Sequence, residues 1–325
     1  MANNPLKNIT CILISNYNGS TIKYKDKGIL ANCLYSIRAN TKGSDVKIIL
    51  IDDGSTDDSV KLAEKYTEDL IRMPTNTGNI SKVLNSGITY ALKKYKPKYL
   101  VLLNNDVIIT DNRWLQNLIS ISESEAEIGM VGCKLLYPNK KIQHAGLIIG
   151  ATTYNRGRAE IDFGKYDSVE EVSGVTFALV LIKSKVIKKV GLLDPNFKMG
   201  YEDADYCFRT KRSGFRIMYN GKVKAIHLEG FTSKIPRAKY VVNKAFYRNQ
   251  SNNAYFALKN LSGYTLFKSL LFILASSFIS IEDKNRERKL LNIRIKHNLL
   301  RNLLDSFDAI SDAIKLANKN QTNNR

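Results

Sequence analysis

The chain has 325 residues, 44% of them hydrophobic, which is enough for one large domain or for a domain with a smaller appendage. A formal charge of +20 favours a polyanionic partner, such as nucleic acid, an anionic membrane face or a phosphorylated substrate. Four widely separated cysteines and three scattered histidines exclude a disulfide framework and a clustered zinc site, and with no secretory signal they predict a cytoplasmic protein.

Strand and helix patterns alternate through the first hundred residues. Apolar runs predict strands at residues 9–14, 46–51, 69–72 and 99–103. Periodic stretches between them predict helices at residues 29–39, 59–66 and 81–94. This order predicts an α/β fold with a mostly parallel central sheet and helices on both faces. Because ligands of such sheets bind beyond the carboxyl ends of the strands, we expect the polar clusters that follow three of these strands to converge on one crevice. The clusters lie at residues 15–19, 52–57 and 104–106.

The second part of the chain has a mixed pattern that gives way to a helical, strongly basic region. Further strands are predicted at residues 129–136, 143–149, 172–183, 215–219 and 223–227. Short helices are predicted at residues 186–190 and 204–213, and a flexible polar loop at residues 151–168. Strand signals end at about residue 234. We therefore predict one domain at residues 1–235 and a C-terminal helical extension at residues 236–325.

Two acidic sites carry the strongest chemical signal. Glu202, Asp203 and Asp205 fall within four positions at the start of a predicted helix. The helix dipole favours acidic residues there, but capping requires one carboxylate rather than three. Asp106 forms the second site, directly after the strand at 99–103. Two separated carboxylate sites in an α/β chain indicate a metal ion and a general base that act on a charged substrate.

Several motifs, in the same order along the chain, resemble those of family 2 glycosyltransferases. They are Asn16-Tyr17-Asn18-Gly19, Ile51-Asp52-Asp53-Gly54-Ser55-Thr56-Asp57, Leu102-Leu103-Asn104-Asn105-Asp106-Val107, Gly191-Leu192-Leu193-Asp194 and Tyr201-Glu202-Asp203-Ala204-Asp205, followed by His227. The similarity covers residues 8–233 and looks closest to a rhamnosyltransferase-like branch that builds cell-surface polysaccharides. It implies a GT-A fold and an inverting transfer of a sugar from a nucleotide-diphosphate sugar to a hydroxyl of a glycan or lipid-linked acceptor.

The resemblance also implies a divalent cation, Mg²⁺ or Mn²⁺, which would neutralise the charge that develops on the leaving diphosphate. Asp106 is the candidate ligand, since hard oxygen donors suit both ions. The acidic pair of the family is Asn105-Asp106 here, so an amide replaces the first carboxylate. The alternative is a strand-end turn in which these two side chains satisfy backbone groups. A histidine at the position of His227 lies near the diphosphate or metal in the family, and a purely structural histidine is the alternative.

The nucleotide is expected near the ends of the first two strands. Asp53 is the predicted contact to the base or ribose, and Asp52 is its alternative. A turn closed by Asp57, which would cap the next helix, is compatible with either assignment. Gly174 is predicted to allow close approach of the acceptor or a tight bend. The full set predicted to bind the nucleotide sugar is Ser15, Tyr17, Asn18, Asp52, Asp53, Asn76, Gly78, Asn79, Asn105 and Gly174.

Inverting transfer requires one base that deprotonates the acceptor hydroxyl. In the family the Glu-Asp pair carries it, and we assign it to Asp203, with Glu202 as the alternative. Asp205 is expected to begin the helix and to pair with Arg209 one turn later. His144 belongs to a segment that also resembles this branch, and we interpret it as a residue on the surface of a strand.

The C-terminal region has two interpretations. Its apolar segment at 269–281 is shorter than the roughly 20 residues that span a bilayer, and the basic run at 284–302 follows it. This pairing favours an interfacial helix on the anionic cytoplasmic face of a membrane. Formation of a homodimer through these helices is the alternative.

Two other classes of function fit the sequence less well. A nucleic-acid-binding protein would show aromatic residues interleaved with basic ones or a recognisable module, and neither is found, so no nucleic acid partner is predicted. A nucleotidyltransferase would carry a glycine-rich loop with Lys or Arg after the first strand. The segment at 16–19 has neither Lys nor Arg and contains a single glycine.

Overall fold

A computed structural model describes residues 8–41, 45–229, 239–285 and 292–323. Within the last two ranges the side chains are described for residues 248–275 and 304–320. The strands are β1 (Thr10–Asn16), β2 (Lys23–Tyr24), β3 (Lys27–Gly28), β4 (Val46–Asp52), β5 (Asp69–Arg72), β6 (Tyr99–Asn104), β7 (Val107–Ile109), β8 (Ile128–Leu136), β9 (Ile142–His144), β10 (Leu147–Ile149), β11 (Thr153–Asn155), β12 (Val169–Glu171), β13 (Leu179–Lys183) and β14 (Arg216–His227). The helices are α1 (Ile29–Asn40), α2 (Ser59–Tyr66), α3 (Ile80–Lys94), α4 (Trp114–Ser124), α5 (Ser184–Val190), α6 (Glu202–Arg212), α7 (Lys239–Asn260), α8 (Gly263–Asn285) and α9 (Asn292–Asn323).

The main sheet has a parallel half and a mixed half. Its strands follow the order β5-β4-β1-β6-β13-β8-β14-β12, with β7 paired to β14 and β9 to β8. β5, β4, β1 and β6 are parallel, which confirms the arrangement predicted from the first hundred residues. β13 runs antiparallel to both of its neighbours, while β14 and β8 are again parallel. The predicted α/β fold class is thus confirmed, and its parallel character belongs to the half that begins the chain.

The parallel strands carry continuous apolar runs because helices cover both of their faces. Every residue of β1 is buried. Gly87 of α3 faces Ile51 of β4 so closely that a Cβ atom on it would lie 2.6 Å from the Ile51 Cδ1 atom. The helix and the sheet therefore touch through a residue that has no side chain.

Three strand predictions in the second half need correction. The apolar run at 172–183 forms a strand only from Leu179 onward, because its first part bonds to other neighbours: the Val172 N–H donates to the Ile217 carbonyl oxygen at 3.0 Å, and Gly174 forms a bridge with Leu147. The run at 143–149 is interrupted at Gly146, whose φ of +98° is a left-handed conformation. The runs at 215–219 and 223–227, predicted as two strands, join into the single strand β14, with a register shift between Asn220 and Lys224.

The segment at 151–168, predicted as a flexible loop, is held to the sheet by ion pairs. Arg156 forms a two-pronged pair with Glu170, with both Nη atoms 3.0 Å from carboxylate oxygens. Lys134 of β8 is fully buried and contacts Asp162 Oδ1 at 2.8 Å and also Asp167. Polar composition suggested exposure, but these charges are satisfied by partners that are distant in sequence.

The chain divides into two compact units, residues 1–148 with 154–235 and residues 149–153 with 236–325. The predicted boundary near residue 235 itself lies outside the described residues. In the second unit, Gln250 Nε2 of α7 donates to the carbonyl oxygen of Ile273 in α8 at 3.1 Å. The whole of the predicted basic run at 284–302 also lies outside the residues whose side chains are described. Among the helices in the described ranges, none is both long and apolar enough to cross a membrane.

Candidate active site

Asn16, the last residue of β1, connects the carboxyl ends of the strands on either side of it. Its Nδ2 atom donates hydrogen bonds to Asp52 Oδ1 at 3.0 Å and to Ser55 Oγ at 3.2 Å. Its Oδ1 atom accepts a hydrogen bond from Asn105 Nδ2 at 2.6 Å. These four residues, the Asn16 cluster, bring the three predicted polar segments together at one edge of the sheet. The sequence prediction assigned Asn16 no role, although its place at the end of the central strand is a signal for one.

Gly19 makes room for the Asn16 cluster, and we expect Gly19→Ala to destabilise the protein. A Cβ atom at this position would lie 2.7 Å from Asn105 Nδ2 and 2.9 Å from the Leu30 Cβ atom. Overpacking of this kind costs about 1–3 kcal/mol, and urea unfolding of both proteins would measure it. Gly150→Ala is the control, because a Cβ atom there meets nothing within 4 Å. Equal stability of the two variants would contradict the close contact.

Asp52 and Asp53 have different surroundings. Asp52 is fully buried, and its carboxylate accepts hydrogen bonds from the Ser55 backbone N–H at 2.9 Å and from the Ser55 hydroxyl. Both of its oxygens therefore hold the turn at the end of β4. Asp53 Oδ1 accepts a hydrogen bond from the Thr77 backbone N–H at 2.9 Å, which ties it to the loop before α3. Asp52 and Asp53 were both predicted as nucleotide contacts, and Asp53 is the one whose carboxylate does not hold the turn at the end of β4.

The loop at 76–79 is a shaped turn beside Asp53. Asn76 Oδ1 accepts a hydrogen bond from the Gly78 backbone N–H at 2.8 Å, and Gly78 has a φ of +58°. Asn79 is directed away from this turn. Its Oδ1 atom caps α3 by accepting from the Lys82 N–H at 3.1 Å, and its Nδ2 atom donates to the Pro195 carbonyl oxygen at 2.8 Å. The structure thus gives Asn79 a supporting position, while Asn76 and Gly78 line the turn itself.

The remaining predicted nucleotide residues follow β1. Ser15 is buried and pairs in register with Asn104 of β6. The Tyr17 side chain is 46% exposed. Asn18 connects to the end of β4, since its N–H donates to Ser55 Oγ at 2.9 Å and its Oδ1 accepts from the Thr56 N–H at 2.9 Å. Asn18 therefore supports the mouth of the crevice, and Tyr17 is the exposed side chain of this motif.

Hydrogen bonds from α3 hold the segment that leads into α6. Asn85 exchanges two bonds with Leu193, at 2.8 and 2.9 Å. Ser81 Oγ donates to the Phe197 carbonyl oxygen at 2.6 Å. Because α3 begins at the loop that contacts Asp53, the acidic start of α6 is connected to the nucleotide side of the crevice.

Asp106 contacts His227, although the two residues are distant in sequence. The antiparallel pairing of β7 and β14 places His227 opposite Val107. His227 Nε2 lies 3.1 Å from Asp106 Oδ1, and both side chains are buried. Burial lowers the pKa of His227, but the Asp106 carboxylate outweighs burial and the net pKa is raised above its ordinary value.

A glutamine determines which nitrogen of His227 is free to act as a ligand. Gln143 Nε2 donates to Glu229 Oε2 at 2.9 Å, which turns the amide so that its Oε1 atom faces His227 Nδ1 at 3.1 Å. Gln143 thus keeps one proton on Nδ1, and the raised pKa of His227 corresponds to a second proton on Nε2, which faces Asp106 Oδ1. Loss of that Nε2 proton would free the lone pair for a cation. This orientation is the one that metal-ligating histidines use, since their second nitrogen usually donates to a protein oxygen. No local pattern points to Gln143, because it lies 84 residues from its partner.

Asp106 and His227 fit a divalent ion as two ligands of an incomplete set. Within the described ranges, no group of three or more His, Cys, Asp or Glu side chains converges on a metal-sized site. One carboxylate and one imidazole leave further positions for diphosphate oxygens and water, as is common for Mg²⁺ sites. The donor atoms present are therefore compatible with a cation that is bound jointly by protein and substrate.

Asp203 lies in the first turn of α6. Its Oδ1 atom accepts a hydrogen bond from the Ala204 backbone N–H at 2.8 Å. Burial raises the pKa of Asp203 above its ordinary value, and this hydrogen bond counteracts part of the rise. An elevated pKa makes a carboxylate a stronger base once it is ionised.

The neighbouring residues of α6 have structural roles. Arg209 Nε donates to Asp205 Oδ2 at 2.8 Å, which confirms the predicted pair one helical turn apart. The same guanidinium donates to the carbonyl oxygens of Val190 and Leu192, each at 3.0 Å. Tyr201 directly precedes the helix with a φ of +70°. Asp205 is thereby committed to holding α6 in place, and this leaves Asp203 and Glu202 as the candidates for the base.

Residues 11–178 match the model of the family described as Glycosyl transferase family 2. The chain belongs to this family. The resemblance drawn from the motifs is thereby confirmed at the level of the family, and the rhamnosyltransferase-like branch stays a prediction.

Two similar proteins are named for the biosynthesis of O-antigen and of a glycan. The chain is 27% identical over 241 residues to the O-antigen biosynthesis protein RfbC of Myxococcus xanthus, covering 70% of this chain and 19% of that protein. It is 24% identical over 211 residues to the low-salt glycan biosynthesis hexosyltransferase Agl10 of Haloferax volcanii, covering 63% of this chain and 65% of that protein. The chain thus spans about a fifth of RfbC, which carries much sequence beyond the shared part.

Solved structures confirm the GT-A fold of this family 2 glycosyltransferase. GalNAc-T7 with UDP, GalNAc and Mn²⁺ has a TM-score of 0.55 at 14% identity, over 77% of this chain and 50% of that one. The mannosyltransferase PcManGT of Pyrobaculum calidifontis, with GDP-Man and Mn²⁺, has a TM-score of 0.54 at 12% identity, over 93% and 86% of the two chains. The S. aureus protein TarS (residues 1–349) has a TM-score of 0.54 at 14% identity, over 95% and 83% of the two chains.

His144 is buried in this glycosyltransferase, so the prediction of a surface position is wrong. It ends β9, is 1% exposed, and its Nδ1 atom lies 2.6 Å from Asn155 Oδ1. Its Nε2 atom accepts a hydrogen bond from the Thr176 backbone N–H at 3.4 Å. Burial lowers the pKa of His144 to about 4, which keeps the imidazole neutral at physiological pH. Alternating apolar and polar residues in a short strand predict that one face is exposed. This pattern cannot show that other segments of the chain cover that face.

The buried imidazole predicts a specific acid sensitivity. The unfolded chain binds a proton at His144 with a pKa near 6.5, whereas the folded protein does so near 4. Stability is therefore complete above the first value and is lost as pH falls from 6.5 towards 4, by about 3 kcal/mol for this group. Urea unfolding at pH 7 and pH 4 should show a smaller loss for His144→Gln, which does not titrate. Parallel losses in both proteins would contradict a neutral buried imidazole.

Gly174, predicted to shape the acceptor side, has a clear backbone position. Its carbonyl oxygen accepts a hydrogen bond from the Leu147 N–H at 2.7 Å. Gly174 is buried, and this bond ties the segment before β13 to β10. Its predicted contact with an acceptor stays a prediction, and its described role is to anchor the segment that leads into β13.

Proposed function

We propose that this family 2 glycosyltransferase moves a sugar from a nucleotide-diphosphate sugar to a hydroxyl of a glycan or lipid-linked acceptor, with inversion at the anomeric carbon. The proposal rests on one observation. Asp106 follows the end of β6 and is paired with His227. The Asn16 cluster links this end of β6 to the end of β4, where the turn that contains Asp53 begins. A donor with its nucleoside near Asp53 can therefore direct its diphosphate towards Asp106.

The donor side is supported by two similar structures that contain a nucleotide or nucleotide sugar. GalNAc-T7 was solved with UDP and Mn²⁺, and PcManGT with GDP-Man and Mn²⁺. In the present chain, Asp106 and His227 are the residues that would hold Mg²⁺ or Mn²⁺. Such an ion, when bound, neutralises the negative charge that develops on the departing diphosphate. A rhamnosyl or other hexosyl donor is proposed from the motif resemblance.

The chain's own residues supply the proton chemistry. Asp203 accepts the proton of the acceptor hydroxyl. The oxygen of that hydroxyl attacks the anomeric carbon from the side opposite the diphosphate, which leaves with the bonding electrons. A single displacement of this kind inverts the anomeric configuration. The Ala204 N–H holds the carboxylate in place, so it reaches the reacting hydroxyl without a conformational search.

A thermal-shift screen tests the donor assignment. UDP-glucose, UDP-GalNAc, GDP-mannose and dTDP-rhamnose would each be added with Mn²⁺, with Mg²⁺ and with EDTA. We expect at least one of these to raise the melting temperature in a metal-dependent way, because a ligand that binds only the folded state stabilises it. Asp53→Ala should weaken that shift. A screen in which no nucleotide sugar changes the melting temperature with either metal would contradict the proposal.

We also propose that the C-terminal helices contact an anionic membrane surface, where a lipid-linked acceptor would be found. α8 exposes Tyr264, Phe267 and Leu271 along one face, while Ile273 on its other face is fully buried. Lys268 lies on the exposed face, with its Nζ atom 4.3 Å from the centre of the Tyr264 ring. Aromatic and aliphatic side chains beside a cation suit the boundary between headgroups and acyl chains.

Vesicle sedimentation tests this surface. The protein should bind phosphatidylglycerol vesicles more tightly than phosphatidylcholine vesicles, and the double variant Phe267→Ser, Leu271→Ser should weaken binding about tenfold or more. Phe163→Ser is the control, since Phe163 is 85% exposed in the other compact unit. Equal binding by all three proteins would contradict the proposal. A double variant that binds vesicles normally but no longer dimerises would assign the face to the homodimer instead.

A further inference from the structure

A cavity lies at the edge of the main sheet opposite the candidate active site. Its volume is about 520 Å³, which is within the range of sites that bind small molecules. Lys98, in its wall, directly precedes β6, whereas Asn105 of the Asn16 cluster directly follows that strand. A strand of this length separates its two ends by about 20 Å. The cavity is therefore distinct from the site proposed for the donor and the acceptor.

Lysines predominate among the charged side chains of this cavity, which we call the lysine cavity. Glu123 is shared between two of them, with its Oε2 atom 2.6 Å from Lys98 Nζ and its Oε1 atom 3.3 Å from Lys183 Nζ. Glu125 forms an ion pair with Arg216. Four ammonium groups against two carboxylates leave the wall with a net charge of +2, and both carboxylates already have partners. The charged residues of the wall are Lys98, Lys183, Lys185, Lys188, Glu123 and Glu125.

Two of these lysines, Lys185 and Lys188, have hydrogen-bond donors to offer a ligand. They lie three positions apart on α5, so their side chains share one face of the helix, and both residues are exposed. Lys185 Nζ donates to the Ala126 carbonyl oxygen, which uses one of the three N–H donors of the ammonium group. In the part of the chain that the structure describes, neither lysine has a carboxylate within ion-pairing distance. Their charges can therefore act on an anion in the cavity.

Lys183 is a buried cation beside like charges. Its side chain is only 8% exposed, and its Nζ atom donates to the Glu125 carbonyl oxygen at 3.4 Å. Burial lowers the pKa of Lys183, Glu123 opposes that effect, and the charges of Lys185 and Lys98 lower the pKa further. An anion in the cavity would offset this repulsion at a position where solvent screens it poorly.

Ser184 fixes the wall of the lysine cavity. Its N–H donates to the Lys98 carbonyl oxygen at 2.9 Å, and its Oγ atom donates to the Pro97 carbonyl oxygen at 2.5 Å. These two bonds attach the start of α5 to the chain that enters β6. A ligand would therefore meet lysines whose backbone is already in place, which reduces the entropy lost on binding.

A purely structural role would explain only part of this arrangement. Lysine side chains often satisfy carbonyl oxygens at the end of a helix, and Lys183 and Lys185 do so just beyond α4. Lys188 makes no such bond to any of the described residues. Satisfying carbonyl oxygens also does not require an excess of positive charge around a cavity.

We propose that the lysine cavity binds a phosphate monoester, with the phosphate group among Lys98, Lys185 and Lys188. A phosphate monoester carries a charge of about −1.5 to −2 at pH 7, which complements the net charge of the wall. The same group occurs on free phosphorylated metabolites and on the headgroup of phosphatidic acid, and the same contacts would recognise both. This second site goes beyond the proposed function and does not depend on it, because no residue of the candidate active site takes part.

Titration calorimetry with glycerol 3-phosphate in EDTA tests the free ligand. EDTA removes any divalent cation that could attract the phosphate to Asp106. We expect saturable binding to the wild type and binding about tenfold weaker or more in the double variant Lys185→Gln, Lys188→Gln, because charge-assisted hydrogen bonds are lost. Lys61→Gln, Lys65→Gln is the matched control, since it removes the same charge from two exposed lysines of α2. Equal binding by all three proteins would indicate a general charge effect and overturn the inference.

Vesicle sedimentation distinguishes the lipid source. Phosphatidic acid vesicles present a monoester, whereas phosphatidylglycerol vesicles of matched surface charge present a diester. If the headgroup is the ligand, the variant Lys185→Gln, Lys188→Gln should lose the excess binding to phosphatidic acid, and the α2 control should keep it. This loss without any binding of glycerol 3-phosphate would assign the cavity to the headgroup. Absence of both effects would overturn the inference.

Competitive acetylation locates the bound probe. Glycerol 3-phosphate or the phosphatidic acid vesicles, whichever bind, should slow the reaction of acetic anhydride with Lys185 and Lys188 and leave Lys61 unchanged, as measured by peptide mass spectrometry. Binding without protection of these two lysines would contradict the assignment. The thermal shift produced by a nucleotide sugar with metal should be the same in the cavity variant and the wild type, so failure of the donor assignment and failure of this one are distinguishable.

Discussion

Replacing Asp203 by asparagine is expected to abolish sugar transfer and leave donor binding intact. The substitution keeps the size of the side chain and removes the group that accepts the hydroxyl proton. General-base catalysis typically contributes about 10²- to 10⁴-fold to the rate, so kcat should fall by that factor. Release of nucleoside diphosphate from the stabilising donor measures turnover, and the thermal shift produced by the same donor measures binding.

Glu202→Gln is the matched control for this prediction. It removes the neighbouring carboxylate of the same helical turn and should reduce kcat less than about tenfold, since it is not the group that takes the proton. If Glu202→Gln abolished transfer while Asp203→Asn did not, Glu202 would be the base. If neither variant lost turnover, the acidic start of α6 would not be the catalytic group at all.

Replacing Asp106 by alanine is expected to remove the metal dependence of donor binding. In the wild type, Mn²⁺ should strengthen donor binding about tenfold or more, because the ion links the diphosphate to the Asp106 carboxylate and the His227 imidazole. Asp106→Ala leaves His227 without its 3.1 Å partner and the ion without its carboxylate. Titration calorimetry with and without EDTA should therefore give the same weak affinity for the variant.

The control for Asp106→Ala is Asp58→Ala. Asp58 is 80% exposed and pairs with Lys61 on the surface of α2, so its loss should change neither stability nor metal dependence appreciably. His227→Gln should fall between the two variants, because it removes the second ligand and keeps the first. Full metal dependence in Asp106→Ala would show that the cation binds elsewhere.

The sequence predicted the parallel half of the sheet well because its signals are local. Continuous apolar runs such as β1 and β4 are typical of strands covered on both faces, and each is followed by a polar turn. The position of the Asp53 turn at the carboxyl edge followed from that order alone. The position of β13 between β6 and β8 depends on which strands are neighbours in space, and no local pattern in the sequence indicates it.

The residues of the candidate site also divide into those with a local sequence signal and those whose roles depend on distant partners. Asp106 and Asp203 were selected because acidic residues in short motifs favour metal binding and proton transfer, and both roles stay predictions. Asn16, Gln143 and His144 were missed or misplaced because their roles come from partners that are remote along the chain. Asn16 connects to residues 36 and 89 positions away, and Gln143 to one 84 positions away. An amide side chain near a strand end resembles a turn residue until such partners are known.

Anomalous diffraction at the manganese edge, from crystals grown with Mn²⁺ and UDP or GDP, tests the central claim most directly. We predict one strong peak in contact with Asp106 and His227 Nε2, with a diphosphate oxygen on the same ion and the nucleoside beside Asp53. The Asp203 carboxylate should face the end of the diphosphate to which the sugar is attached in the donor. A manganese ion bound away from Asp106, or a nucleotide whose phosphates point away from Asp203, would contradict it.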